Sequence, residues 1–339
     1  MTTGQAAIGI LGTGSYLPKA EITNDEIAER VANATVEWIE RKTLIRGRRY
    51  AAPEEATSDL ACHAAVQALA AADLQPGEID YIIVSTSTGD SPQPPTACLV
   101  QAKLGAFRAA CFDVNVVCAG FVYAMALAQG LMALRPGTRA LVIGADVYSR
   151  ILDFDDRTTA VLLGDGAGAA VLGAVPTGRG IIDIDLASRG DAAGLIRVEA
   201  GGSRQPTSYD TVANGGHFFK MNGRDVRDFV MEHVPPMLAA LLARNGTELS
   251  EVGHFVPHQA NGVLLQELVE RCRLAGAQTH RTLEWYGNIG SASVPVALDS
   301  ANRSGAIRDG DLVLLAGFGG GMSVGTCLLR WAGTVGDGA

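Results

Sequence analysis

The chain has 339 residues, 47% of them apolar and 6% aromatic, with a net charge of −9 and a pI near 5.2. That length exceeds one ordinary domain and can bury a large core, which predicts two fused halves. The acidic balance argues against a general nucleic-acid binder, because phosphate neutralisation requires a basic face.

The opening "MTTGQAAIGILGTGSYLP" has no basic n-region, and no stretch is expected to reach the roughly 18 apolar residues of a membrane span, so a cytoplasmic protein is expected. "RKTLIRGRR" (41 to 49) packs five basic residues into nine and reads either as a solvated helix end or as a surface for an anion. Helices are predicted over 58–74, 226–246 and 261–276. Strands are predicted at 81–87, 140–146, 158–165, 167–173, 254–259 and 312–317. This alternation predicts an α/β protein with mainly parallel sheets. Six cysteines without C-x-x-C spacing, in a chain too long to need disulfide staples, fit a reducing compartment and no structural zinc.

Three segment pairs share a single offset of 173 residues: Tyr81 falls on His254, Gly137 on Gly310, and Asn115 with Cys118 on Asn288 with Ser291. One offset in three places predicts two similar halves meeting near residue 175. Parallel-sheet proteins bind ligands at the carboxyl ends of strands, so Cys118, His258 and Asn288 are expected to converge on one site between the halves.

Cys118 stands in "DVNVVCAGFVYAM", where an apolar strand gives way to a small-residue helix. A helix start would lower its thiol pKa and supply an N–H for an oxyanion, whereas a buried core thiol would do neither. His258 in "FVPHQAN" reads as a cap, a core histidine or a catalytic group, and Asn288 in "WYGNIGSASVPVAL" as turn chemistry or a donor. Taken together, Cys, His and Asn suit acyl transfer from a thioester followed by stabilisation of an enolate. "GDGAGA" and "GFGGG" do not fit a dinucleotide fingerprint, so a nicotinamide oxidoreductase is not expected.

"DVNVVCAGFVYAM", "GDGAGAAVL", "FKMNGRDVRDF", "FVPHQAN", "YGNIGSASVPVAL" and "GFGGGMSVG" occur in the order and spacing of the β-ketoacyl-[acyl carrier protein] synthase III family, in the thiolase superfamily, and the resemblance spans the chain. It implies duplicated βαβαβαββ halves, 1–175 and 176–339, in a layered α-β-α-β-α fold, assembled as a homodimer. The implied chemistry is a decarboxylative Claisen condensation. Cys118 takes an acyl group from acyl-CoA, malonyl-acyl carrier protein loses carbon dioxide, and the resulting enolate attacks the acyl-cysteine. His258 and Asn288 would donate hydrogen bonds to that enolate, N–H groups of Cys118 and Gly320 would hold the oxyanion, and Phe318 would favour decarboxylation. No metal or redox cofactor is implied.

For substrate binding the resemblance implies Trp38 on the adenine of CoA, Arg157 near the nucleotide, Lys42 and Thr43 at the altered "KTLI" segment, and Asn222 and Asn261 along the pantetheine arm. Gln93, from the partner subunit, with Tyr148 and Leu163 would border the acyl group. Two family features are changed: "KTLI" replaces "RTGI", and Val263 replaces an arginine in "HQANGVL". A lysine lacks the planar fork of arginine, so a weaker grip on CoA or a different carrier protein is expected, with the 41–49 basic stretch as compensation. A specialised biosynthetic enzyme is therefore expected more than one initiating fatty acid synthesis. The competing readings are an acyltransferase that uses Cys118 without forming a carbon–carbon bond, and a silent dimer partner, which would have no need of all three polar residues.

Overall fold

The computed structural model describes residues 7–333. Two five-stranded sheets carry the fold. The first runs Ala7–Tyr16, Asp165–Val175, Ala140–Val147, Tyr81–Ser85 and Ala110–Val114. The second runs Gly180–Ser188, Ser323–Arg330, Leu312–Gly319, His254–Pro257 and Gln278–Thr279. Numbered within its own half, each sheet has the order first, fifth, fourth, second, third. The offset of 173 holds in the ladders as well: Tyr81 lies opposite Ala140, and His254 opposite Val313.

Both sheets are mixed, which corrects the expectation of mainly parallel ones. In each, two neighbouring pairs are parallel and two antiparallel. The second sheet shows the cause. Leu312–Gly319 is followed after a three-residue turn by Ser323–Arg330, and a hairpin that short permits only antiparallel pairing.

Strand periodicity sets the layers. In Ala140–Val147, Leu141, Ile143, Ala145 and Val147 face one core while Ala140 and Val142 face another. In Leu312–Gly319, Leu314, Ala316 and Phe318 point outward and Val313 and Leu315 inward. The inner core is filled by the helices Gly120–Leu134 and Ser293–Arg303, and the helices Thr57–Ala71 and Gly223–Arg244 cover the outer faces. This gives the five-layered α-β-α-β-α arrangement.

The segment Val117–Leu134 is long and apolar enough to cross a membrane, with mean hydropathy 1.8, contrary to the expectation from sequence. Its apolar face has a partner: Phe121, Val122, Met125 and Ala128 are fully buried between the two sheets. The predicted strand 158–165 also fails. Asp156 caps a short helix, Arg157–Ala160, by accepting from the N–H and hydroxyl of Thr158 and from the Thr159 hydroxyl. Leu163 makes a single bridge to Asn288, and only the last residue, Asp165, joins a strand, opposite Val147. The β-branched run misled because a side-chain cap outweighed its strand preference.

Candidate active site

Cys118 lies in a single 3₁₀ turn, Val117–Ala119, just before the helix Gly120–Leu134. Val117 adopts φ +46°, a left-handed conformation that is costly for a β-branched residue and that turns the thiol out of the chain path. The strand Leu312–Gly319 ends against it. A Cβ on Gly319 would lie 2.7 Å from Cys118 Cβ and 3.0 Å from Sγ, so only glycine leaves room for the thiol. Gly320 is displaced from that contact and packs toward Val117 and Ile196. Gly319 is thus the wall of the thiol site, and the expected oxyanion donor, Gly320 N–H, belongs to the peptide leaving it.

His258 follows the strand His254–Pro257, is 1% exposed, and stands edge-on to Phe318 with ring centroids 5.4 Å apart. Burial lowers its imidazole pKa to about 3, and its Nδ1 has no partner. The ring is therefore neutral at physiological pH and donates through one nitrogen only. Asn288 is fixed at three points. Its N–H donates to the Leu162 carbonyl at 2.8 Å, its carbonyl accepts from Gly164 N–H at 2.9 Å, and its Oδ1 accepts from Gly290 N–H at 3.0 Å. With Oδ1 engaged, Nδ2 is the end of the amide left to donate.

These groups share one cavity of about 350 Å³, lined also by Tyr148, Leu163 and Gly319. Trp38, Lys42, Thr43, Val263 and Asn261 line it farther out. Of the two readings of the Cys118 thiol, lowered by a helix start or raised by burial, the second describes its ionisation. Cys118 is 7% exposed, and burial together with the nearby Asp146 carboxylate pushes the thiol well above its ordinary value. Desolvation of a thiolate outweighs the pull of one helix start when no cation faces the sulfur.

Several expected substrate contacts have other work. Asn261 caps the helix Gly262–Arg271 by accepting from the N–H groups of Val263 and Leu264, and its Nδ2 donates to the Lys42 carbonyl. Asn222 caps the helix Gly223–Arg244, pairs with Asp225, and lies outside the cavity lining. The Thr43 hydroxyl donates to Ile39 carbonyl and accepts from Ile45 N–H. Arg157 also lies outside the lining, but its guanidinium stacks 4.9 Å over Trp38 and donates to the Asn33 carbonyl. Gln93 is on an exposed loop away from the cavity of its own chain.

The basic stretch 41–49 is not an anion-facing surface as a unit. Arg48 is fully buried and donates to Asn24 Oδ1 and the Val161 carbonyl, Arg46 pairs with Glu284 at 3.2 Å, and Arg49 with Glu21 at 3.1 Å. Lys42 and Arg41 make no ion pair among the described residues. Sequence reading also passed over Arg227 and Glu267, which line the cavity and join in a bidentate pair of 2.5 and 3.0 Å.

Residues 112–190 match the model of 3-oxoacyl-[acyl-carrier-protein (ACP)] synthase III, and residues 242–331 match that of its C-terminal part. The acetoacetyl CoA synthase NphT7 of Streptomyces sp. strain CL190 is 51% identical over 95% of this chain and 98% of its own length. The chain belongs to the synthase III family. A β-ketoacyl-[acyl-carrier-protein] synthase III from Caldanaerobacter subterraneus subsp. tengcongensis is 42% identical over 96% of this chain and 98% of its own. Among solved structures, the Aquifex aeolicus VF5 synthase III superposes with TM-score 0.88 at 34% identity, covering 96% of this chain and all of the other. The priming β-ketosynthase of the R1128 polyketide pathway gives the same TM-score and identity over 97% and 98%. Like the other members of the synthase III family, the protein is an acyltransferase-type condensing enzyme with the thiolase-like fold.

Proposed function

We propose that this synthase III joins an acyl group held on Cys118 to a malonyl thioester with loss of carbon dioxide. The observation that carries the reading is the fixed Asn288 amide, whose Nδ2 is left to donate at a cavity shared with Cys118 and a neutral His258. Two uncharged donors suit an enolate oxygen, because they stabilise developing charge without adding a proton outright.

In the first half-reaction the Cys118 thiol attacks the acyl-CoA carbonyl. Because the thiol is protonated at rest, its proton leaves as the new carbon–sulfur bond forms and is taken up by the departing CoA sulfur. In the second, the bond from the malonyl α-carbon to its carboxylate breaks, carbon dioxide leaves, and the electron pair becomes the enolate held by His258 and Asn288. The enolate carbon attacks the acyl-Cys118 carbonyl, whose oxyanion is held by the N–H groups of Cys118 and Gly320. Collapse expels the Cys118 thiolate, which takes a proton from solvent. The reaction runs on thioester chemistry and these residues, with no cofactor. Trp38, with Arg157 stacked on it and Lys42 nearby, would receive the nucleotide end of CoA, and Tyr148 and Leu163 would limit the acyl group to a short one.

The mouth of the cavity favours malonyl-CoA over malonyl-carrier protein as the second substrate. Val263, 42% exposed, stands where the family places an arginine, and Gln266, Glu267 and Glu270 follow it on the same helix. Arg227 is neutralised there by Glu267 and Asp228. An acidic carrier protein would meet Lys42 at this mouth but not the arginine that the family carries on this helix. The 51% identity to an enzyme named acetoacetyl CoA synthase supports this reading, and with it a role in specialised biosynthesis. A cytoplasmic homodimer is part of the proposal: the first sheet ends on the half-buried edge Ala110–Val114, whose Asp113 accepts from the N–H groups of Thr96 and Ala97 at the root of the Gln93 loop.

Intact-protein mass spectrometry of wild type and Cys118→Ala with acyl-CoA donors, followed by a malonyl-CoA or malonyl-carrier protein chase, tests the reading. A mass gain in wild type alone, discharged with release of carbon dioxide and faster by malonyl-CoA, is expected. A gain that neither malonyl thioester discharges would mean acyl transfer without condensation.

A further inference from the structure

The internal repeat places a second copy of the nucleophile turn in the molecule. By the offset of 173, Ser291 corresponds to Cys118, Gly290 to Val117, Gly144 to Gly317 and Asp146 to Gly319. The backbone follows this correspondence. The 3₁₀ turn Gly290–Ala292 matches Val117–Ala119, and Gly290 has φ +58° where Val117 has +46°. A Cβ on Gly317 would meet Ala119 Cα at 2.9 Å, and one on Gly144 would meet the Ser291 carbonyl oxygen at 2.4 Å. The two turns differ in what faces the nucleophile position: beside Cys118 there is a glycine and open cavity, beside Ser291 a carboxylate.

That carboxylate is fully buried and has no cationic partner among the described residues. Its Oδ2 accepts from Ser291 N–H at 2.8 Å and lies 3.0 Å from Ser291 Oγ, whose proton it shares with the Ser85 carbonyl at 2.7 Å. Its Oδ1 accepts from Ser87 N–H and the Thr88 hydroxyl, both at 2.9 Å, and from the Ser87 hydroxyl at 3.1 Å. Ser87 Oγ in turn accepts from the Tyr148 hydroxyl at 2.7 Å. Burial pushes the carboxyl up, while the Ser87 and Ser291 N–H groups pull it back. With N–H donors on both oxygens, the carboxylate is the form that fits. An apolar residue would stitch the halves together at lower desolvation cost.

We infer that Asp146 is a positioning residue for the condensation half-reaction, locking the Gly290–Ala292 turn so that the Asn288 amide faces the malonyl thioester. The path is short. Asp146 holds Ser291 N–H, the adjoining Gly290 donates its N–H to Asn288 Oδ1, and this fixes which end of the amide is left for substrate. Asp146 also closes the space over Gly290, where a Cβ would come within 2.3 Å of Oδ2. The groups facing Cys118 that could titrate are Asp146, Tyr148 and His258. The imidazole is neutral and the phenol is held protonated by burial, so Asp146 supplies the charge that the thiol senses.

The inference rests on the proposed condensation, and the test separates the two. Wild type, Asp146→Asn and Ser291→Ala are compared for acyl loading from acetyl-CoA, for carbon dioxide release from malonyl-CoA, and for the pH profile of Cys118 alkylation by iodoacetamide. Asp146→Asn is expected to load the acyl group, to lose about a hundredfold in kcat for carbon dioxide release with KM little changed, and to shift the alkylation profile to lower pH. Ser291→Ala, which keeps the N–H bond, is expected to lose between about threefold and tenfold in carbon dioxide release and to leave the alkylation profile in place. A folded Asp146→Asn with carbon dioxide release within threefold of wild type would overturn the positioning role. If Asp146→Asn does not fold, unchanged release in Ser291→Ala overturns it instead. A wild type that loads acetyl but releases no carbon dioxide would overturn the proposed reaction first, and the role of Asp146 with it.

Discussion

Gly319 leaves Cys118 the space it needs: a Cβ on Gly319 would sit 2.7 Å from Cys118 Cβ and 3.0 Å from its Sγ. Both partners are anchored, Gly319 at the end of a central strand and Cys118 in a turn with left-handed backbone at Val117. Neither can give way as the tip of a long side chain could. Gly319→Ala is expected to cost about 1–3 kcal/mol of stability by overpacking. It is also expected to cut acyl loading about a hundredfold, because the sulfur must move by a large fraction of an ångström or more. Denaturant unfolding and mass-spectrometric loading measure the two, and normal loading in a folded variant would refute the steric account.

The ionisation of Cys118 gives a prediction in pH. Burial and the Asp146 carboxylate raise the thiol pKa, and with His258 lowered to about 3 there is no imidazolium to oppose them. A raised thiol pKa means that thiolate gains population only as pH rises beyond the ordinary thiol range of about 8.5. The rate of Cys118 alkylation by iodoacetamide is therefore expected to climb through pH 7–9 without a plateau. A plateau near neutrality would show a thiolate–imidazolium pair instead.

Arg48 was read from sequence as one of five cations for an anionic ligand, yet it is a core residue. Burial lowers its pKa to about 10, and it stays charged by donating to Asn24 Oδ1 at 2.8 Å and the Val161 carbonyl at 2.9 Å. Arg48→Ala is expected to destabilise the protein by about 3–5 kcal/mol, since it leaves those acceptors unpaired and a cavity behind. Arg48→Lys is expected to recover only part of this, because an ammonium lacks the fork that reaches both partners. Urea unfolding of the wild type and the two variants checks the order.

Val263 lies at the cavity mouth beside Glu267. Val263→Arg adds a cation where an acidic carrier would dock, and kcat/KM for malonyl-carrier protein is expected to rise several-fold at low salt and to fall back as salt is added. Turnover of malonyl-CoA is expected to change by much less. An equal effect on both substrates would locate the change in the shared pantetheine path rather than in protein docking.

The sequence by itself determined the duplication, the fold family and the meeting of Cys118, His258 and Asn288 at one cavity, because these rest on local pattern. Offsets between segments, strand-ending His258 and the glycine-rich turn after Asn288 are all properties of neighbours along the chain. Tertiary structure decided everything that depends on burial by distant residues: that the Cys118 thiol is neutral, that Arg48 faces inward, and that the polar groups of Asn222 and Asn261 are occupied as helix caps. Asp146 shows the division most sharply. A charged residue ending the apolar run "ALVIGAD" was visible, as was its alignment with Gly319. That its carboxylate fills the second copy of the nucleophile turn depends on Ser87, Thr88 and Ser291 meeting it from three directions, and only the packed sheets bring those donors together.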